Sequence, residues 1–141
     1  MPRKAGRTPQ HGIGRSCKAG KEEIVGLLTA LKLFIAEGDA ARHARWLKAL
    51  REIEQGVAGS NGVSATIEGA DDQTKVPVLV LKLNPATHQT TPMLLALQSG
   101  DPSIHADPTF RDKNQILINP MCLQPHEPAL VAAGLKRVLR G

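Results

Sequence analysis

Aromatic residues are almost absent from this chain. Its 141 residues include no tyrosine, two phenylalanines and one tryptophan. The core must therefore be built mainly from leucine, isoleucine, valine and alanine. The scarcity also argues against a surface that stacks the bases of single-stranded nucleic acid, because such surfaces depend on aromatic platforms.

Cysteine and long apolar runs are equally scarce. The two cysteines, Cys17 and Cys122, provide neither a disulfide framework nor the spacing of a metal site. No apolar stretch approaches the roughly 20 residues that span a bilayer, and no apolar segment follows the basic first residues as it would in a secretory signal. We therefore expect a cytoplasmic protein with free thiols and no membrane association.

Acidic residues are missing from the first 21 positions. This segment carries a formal charge of +6 and the rest of the chain −1, which together give the net charge of +5. Its six cations are Arg3, Lys4, Arg7, Arg15, Lys18 and Lys21. A basic arm of this kind can bind RNA or another polyanion. The alternative is a solvated tail, and the polar, glycine-containing composition favours it.

Apolar periodicity along the remainder predicts a mixture of helices and antiparallel strands. Helices are expected over residues 21–37, 40–55, 91–99 and 127–140, and strands over 63–67, 76–83, around Ile104, and over 116–118. Consecutive strands joined by short turns favour the α+β class, with a small antiparallel sheet and the helices on one face. Pro77 predicts an edge position or a bulge for the second strand.

The five histidines do not form a recognisable metal site. His88 and His105 flank a predicted helix rather than sharing one face, and the spacing of the others offers no convergent set of ligands. His43 lies in a charge-rich helix and His126 near a helix start. Both are interpreted as polar surface residues.

One segment near the start resembles a known enzyme family. Residues 14–28 are G-R-S-C-K-A-G-K-E-E-I-V-G-L-L. They resemble a segment of pyridoxal-phosphate enzymes related to bacterial selenocysteine synthase (L-seryl-tRNA(Sec) selenium transferase), especially the branch that contains D-glucosaminate-6-phosphate ammonia-lyase. Residues 97–104 and 116–120 are similar to later elements of the same family, in the same order.

The resemblance implies a particular domain organisation. In the family, the matching segment follows the lysine that forms the Schiff base, where the large cofactor domain passes into the small C-terminal domain of these fold-type-I enzymes. We therefore expect residues 1–14 to be a basic flexible segment and residues 15–141 a single small α+β domain, with the large cofactor domain absent. The only lysine before His11 is Lys4, and its surroundings do not resemble the Schiff-base segment.

The expected function follows from that organisation. The complete family enzyme uses pyridoxal phosphate for lyase or transferase chemistry, but this chain alone is expected to hold no catalytic residue and no cofactor. Its expected partners are a missing cofactor domain or homologous subunit, within a homo-oligomer if the enzyme is complete. An isolated domain of this kind should expose an apolar face, most of it on the helix at 21–37. The alternative is a non-catalytic module whose basic arm binds RNA or another polyanion.

Arg15 and Lys18 are the candidate substrate-binding residues. They lie three positions apart in a glycine-rich loop just before a helix, where free backbone N–H groups favour an anion. Arginine supplies a planar fork for phosphate or carboxylate, and lysine supplies a point charge. From spacing alone, solvated cations in a loop are an equal alternative. The resemblance implies that both residues hold the anionic group of a small-molecule substrate, with Lys18 standing where selenium transferases have a second arginine.

Overall fold

The computed structural model describes residues 18–140, which fall into two compact units divided between Glu37 and Gly38. The described part of the first unit contains one helix, α1 (Lys21–Glu37). The elements of the second unit are α2 (Asp39–Val57), β1 (Val63–Glu68), β2 (Val78–Leu83), α3 (Thr90–Gln98), β3 (Gln115–Ile118) and α4 (Glu127–Val138). A short 3-10 turn, Arg111–Lys113, precedes β3.

Helix α1 has the bounds that its apolar periodicity predicts. Glu22 and Glu23 lie in its first turn, where negative charge interacts favourably with the helix dipole. None of its residues is buried, and its large apolar side chains remain exposed, from 49% at Leu31 to 71% at Leu27. The apolar face that the sequence predicts on this helix is therefore open to solvent.

The sheet of the second unit has three antiparallel strands in the order β1-β2-β3. The register places Leu81 of β2 between Ala65 of β1 and Ile116 of β3. Because side chains alternate across a strand, these three residues share one face of the sheet. That face carries the core, whereas Lys82 on the other face is exposed.

Three helices cover the core face of the sheet. The helical and sheet side chains form one apolar cluster, in which α2 contributes Leu50 and Ile53, α3 contributes Leu97, and α4 contributes Leu135. Each of these four side chains is fully buried. The second unit is therefore an α+β structure with a small antiparallel sheet and helices on one face, which confirms the predicted fold class.

The predicted strand around Ile104 is wrong. Ile104 lies outside the named strands; its N–H donates to Leu97 O at 3.0 Å, and its side chain is buried. The segment meets the sheet only through one isolated bridge, between Asp107 and Leu117. A proline at position 108 removes a backbone donor that an extended ladder would need. The sheet therefore has three strands in the described part of the chain.

Of the two alternatives predicted from Pro77, an edge position or a bulge, the edge position is wrong. The strand β2 is central, with β1 and β3 on its two sides. It begins at Val78, so Pro77 stands just before the first ladder position. The missing N–H of Pro77 therefore costs the sheet no hydrogen bond.

Asn114 joins three parts of the second unit through one amide group. Its Oδ1 accepts hydrogen bonds from both the N–H and the hydroxyl of Thr90, each at 3.0 Å. Its Nδ2 donates to Leu83 O and His88 O, also at 3.0 Å. The residue has a left-handed backbone, with φ 55°, a conformation that asparagine tolerates better than most residues. The end of β2, the following loop and the start of α3 are thereby tied to the turn before β3.

Gly56 lets α2 and α4 approach closely. A Cβ added at Gly56 would lie 2.5 Å from Ala132 Cβ, well inside van der Waals contact. Alanine is a better helix former than glycine by about 1 kcal/mol, but overpacking costs roughly 1–3 kcal/mol. We expect Gly56→Ala to lower the free energy of unfolding by about 1–2 kcal/mol in urea titrations, because the overpacking term is the larger.

A second substitution provides the control for this contact. Replacing Ala132 by glycine in the Gly56→Ala background should restore much of the lost stability, because it removes the methyl group that the new Cβ meets. A Gly56→Ala protein more stable than the parent would contradict the close approach of the two helices.

Candidate functional site

The two predicted substrate-binding residues differ in what the structure describes. Arg15 and its neighbour Cys17 lie outside the described residues. Lys18 is described: it is exposed and lies in irregular backbone three residues before the start of α1. The structure therefore places one of the two cations next to a helix N-terminus.

Acidic side chains already stand at that helix N-terminus. The carboxylates of Glu22 and Glu23 lie beside Gly20, where an added Cβ would contact Glu23 Oε2 and lie 3.2 Å from Glu22 Oε2. These charges interact with the positive end of the α1 dipole and repel a second anion. A ligand anion near Lys18 would therefore depend on cationic side chains more than on the backbone amides of α1.

A groove of about 580 Å³ opens in the second unit between residues 102–107, the end of β3 and α4. Its lining is mostly apolar, and its carboxylates belong to Asp107 and Glu127. No lysine or arginine is among the lining residues. The groove therefore has a volume typical of small-molecule pockets but does not have the charge that a phosphate requires.

A serine and a histidine meet at the edge of this groove. Ser103 Oγ lies 2.7 Å from Gln98 O and 3.2 Å from His105 Nε2. The serine has one hydroxyl proton, and the shorter contact to a carbonyl oxygen uses it. His105 then donates to Ser103 Oγ, so it does not act as a base toward the serine. Sequence reasoning missed this pair because residues two positions apart carry no recognised catalytic pattern.

A second groove, of about 490 Å³, lies between α2 and residues 120–128. Arg45 and Lys48 line it, together with Glu52 and the half-buried Trp46. The Arg45 guanidinium lies 6.0 Å from the centroid of the Trp46 ring. The indole Nε1 of Trp46 is buried and has no hydrogen-bond partner. Because this atom has no solvent exposure, a ligand in the groove would reach it only after the side chain moved.

His43 is a structural residue, which makes the predicted surface position wrong. It is 4% exposed, and its Nε2 lies 3.2 Å from Gly69 O. A carbonyl oxygen only accepts, so Nε2 carries the proton and donates to it. The neighbouring Arg42 is also buried and forms an ion pair with Asp39 at 2.7 Å. The charge-rich sequence of α2 did not reveal these buried positions, because the partner of His43 is distant in sequence and Arg42 pairs through Nη1 with Asp39 three positions away.

The other histidines of residues 18–140 do not converge on a metal site. His88 Nε2 contacts Asn61 O at 3.0 Å and thereby connects the loop after β2 to the turn before β1. His126 is exposed at the start of α4, as predicted. Within residues 18–140, no group of three or more histidine, cysteine, aspartate or glutamate side chains could hold a metal ion.

Two neighbouring side chains lower the pKa of Asp72. The hydroxyl of Thr74 donates to its carboxylate at 2.6 Å, and Lys75 lies 2.9 Å away. The Thr74 hydrogen bond, followed by the Lys75 contact, lowers the pKa of Asp72 from 3.8 to about 2. The charged form is therefore favoured in the folded state, and its contribution is lost as pH falls from 3.8 toward 2. Asp72 lines neither groove. Its lowered pKa therefore affects the stability of the turn before β2 and not the chemistry of a groove.

The lysines of residues 18–140 do not fit a pyridoxal-phosphate site. Such a site needs a lysine for the Schiff base and a partner for the pyridine nitrogen. Each lysine in this part of the chain is exposed, and the larger groove contains none. Lys4 lies outside the described residues. The described residues therefore do not by themselves form the cofactor site.

Within the same residues, no helix is long and apolar enough to cross a membrane.

In comparisons with known proteins, this chain is similar to parts of two longer enzymes. No protein-family profile matches the chain. It is 27% identical over 135 residues to 5'-C-glycyluridine monooxygenase-decarboxylase from a Streptomyces species, an alignment that covers 94% of this chain and 34% of that protein. The structure of D-glucosaminate-6-phosphate ammonia-lyase matches with a TM-score of 0.71 and 21% identity, over 92% of this chain and 34% of that one.

The chain thus spans about a third of the length of each of these two proteins. Its fold is that of a part of the ammonia-lyase structure. Both findings fit the C-terminal part of a pyridoxal-phosphate-enzyme-like family, the family that residues 14–28 resemble.

Proposed function

We propose that this chain acts as the C-terminal part of a pyridoxal-phosphate-dependent lyase or transferase resembling D-glucosaminate-6-phosphate ammonia-lyase and selenocysteine synthase. The observation that carries the proposal is the match of 92% of the chain to about a third of the ammonia-lyase structure. A fold match of this extent, together with the resemblance of residues 14–28 to the family, supports a role as the same domain of such an enzyme. The proposed setting is the cytoplasm.

The cofactor and its Schiff-base lysine come, in this proposal, from a cofactor domain or a homologous subunit. The exposed lysines of residues 18–140 support this division, since none has the enclosed setting that the cofactor requires. The complete enzyme is a homo-oligomer in which elimination or replacement takes place at the β-carbon of an amino-acid substrate. This chain contributes binding and orientation of that substrate.

Arg15 and Lys18 hold the anionic group of the substrate. Lys18 is exposed next to α1, and its charge is available to a ligand from solvent. Because the carboxylates beside Gly20 repel an anion from the backbone amides of α1, the attraction at this end of the helix comes from the cation Lys18. The name of the ammonia-lyase specifies a sugar acid with a phosphate group. The proposed substrate class is accordingly a small amino acid or amino sugar acid that bears a phosphate or a second carboxylate.

The test requires the chain to be assembled with the cofactor domain that the proposal assigns to it. Arg15→Ala and Lys18→Ala should each raise KM for a phosphorylated substrate by about tenfold or more, because hydrogen bonds to charged groups contribute about 1.5–3 kcal/mol. Lys136→Ala, which removes an exposed cation from the last turn of α4, is the matched control and should leave KM unchanged. Equal KM values in all three variants would remove the site assignment.

The second candidate is a non-catalytic module whose basic arm binds RNA or another polyanion. The absence of acids among the first 21 residues favours it. Lys18→Ala and a deletion of residues 1–10 separate the two functions when binding to an RNA oligonucleotide is measured against salt concentration. Arm-driven binding is lost on deleting residues 1–10, which removes Arg3, Lys4 and Arg7, and it persists in Lys18→Ala. Substrate binding is instead weakened in Lys18→Ala and persists when residues 1–10 are deleted.

A further inference from the structure

Helix α1 exposes a continuous apolar stripe. At 3.6 residues per turn, five of its side chains fall within an arc of about 100°, the width of a helix face that is buried against a partner. These residues, called the α1 stripe below, are Ile24, Leu27, Leu28, Leu31 and Ile35. Their exposed fractions run from 49% to 71%. Soluble monomers rarely leave a contiguous apolar surface of this kind in water.

We propose that the α1 stripe is a self-association surface, and that its partner is the α1 stripe of a second copy of this chain. The inference gives the homo-oligomer of the proposed function a specific contact surface. It needs neither cofactor nor substrate, so either proposal can fail without the other.

The area of the stripe is sufficient for a stable pair. From their exposed fractions, the five side chains present on the order of 600 Å² per copy, so that a symmetric pair that covers them completely buries about 1,200 Å², the lower limit for specific protein interfaces. In such a pair the same patch lies on both sides of a twofold axis.

The spacing of the stripe also suits packing against another helix. Ile24, Leu28, Leu31 and Ile35 follow one another at intervals of four, three and four residues. This alternation is the pattern by which two helices interlock their side chains in a coiled coil. A helical partner with the same spacing is therefore a better fit than a flat surface.

The charges of α1 argue against a lipid partner. Helices that lie on anionic membranes carry lysine and arginine on their polar face. The helix α1 instead has three acids, Glu22, Glu23 and Glu37, against the two cations Lys21 and Lys32. Its acidic residues would be repelled by an anionic surface, whereas a second protein helix does not require a basic face.

Sedimentation of the whole chain over a range of about 1–100 µM tests the proposal. The parent protein should show a reversible monomer–dimer equilibrium. Leu31→Glu should raise the dissociation constant at least about 100-fold, because it would bury a carboxylate in the apolar seam of both copies. Leu33→Glu is the matched control: Leu33 is 68% exposed and points to the opposite side of α1. It should change the dissociation constant by less than about threefold.

Circular dichroism of both variants checks that helix content is unchanged, which is expected because neither leucine is buried. A parent chain that stays monomeric throughout the range would overturn the proposal. So would equal weakening by Leu31→Glu and Leu33→Glu. Binding to phosphatidylserine vesicles by a chain that does not dimerise would also overturn it, and would assign the stripe to a membrane surface.

Discussion

Replacing Asn114 by alanine should lower the free energy of unfolding of the second unit by about 3–5 kcal/mol, because several unfavourable effects coincide at this residue. The substitution removes the donors to Leu83 O and His88 O and the acceptor for Thr90. Each buried polar group left without a partner costs about 1–3 kcal/mol. Alanine in a left-handed backbone adds roughly 1 kcal/mol.

Two further substitutions separate these contributions in urea titrations followed by circular dichroism. Asn114→Gly relieves the backbone strain but keeps the loss of hydrogen bonds, so it should be less damaging than alanine by about 1 kcal/mol. Asn114→Asp keeps the acceptor oxygens but turns the two donor contacts into repulsions between oxygen atoms. Stability within about 0.5 kcal/mol of the parent for Asn114→Ala would mean that the amide does not hold these elements together.

The second large effect is expected from Leu81→Ala, with a loss of about 3–5 kcal/mol in the free energy of unfolding. Leu81 is fully buried at the centre of the sheet, between Ala65 and Ile116 on the neighbouring strands. Strands on both sides hold the backbone of β2 in place, so the surroundings cannot easily collapse into the space that is left. The loss therefore includes a cavity contribution as well as the transfer of the missing methyl and methylene groups.

Leu95→Ala is the matched control for this prediction. It removes the same atoms from α3, where the side chain is 58% exposed. The expected change is below about 1 kcal/mol, because little apolar surface leaves water at this position on folding. Similar losses at both positions in urea titrations would contradict the assignment of the core to one face of the sheet.

The fold class could be predicted because its main signals are local. The apolar spacing in residues 21–37 gave the bounds of α1, and the β-branched and leucine run before Asn84 identified β2. Both patterns depend on neighbours a few positions apart, as helices and strands do. The predictions were wrong where contacts with residues distant in sequence determine the local structure. Ile104 has a strand-forming side chain, but it is buried beneath α3 and α4 as part of an irregular segment.

The candidate site was less predictable for the same reason. His43 is isolated in sequence, and its partner Gly69 lies 26 positions away. Ser103 and His105 meet through the path of the chain after α3, which no local pattern specifies. Lys18 stays a prediction, made because its loop resembles that of known enzymes. The acids beside Gly20 belong to the same segment and carry the opposite charge.

The contact between Gly56 and Ala132 brings the first and last helices of the second unit together. Leu50 and Ile53 of α2 share their apolar cluster with Val131 and Leu135 of α4. A ribosome makes α2 before α4, with the three strands and α3 between them. The interior side of α2 therefore lacks the covering that α4 provides until α4 has been synthesised, and during this period a chaperone has an apolar surface to bind.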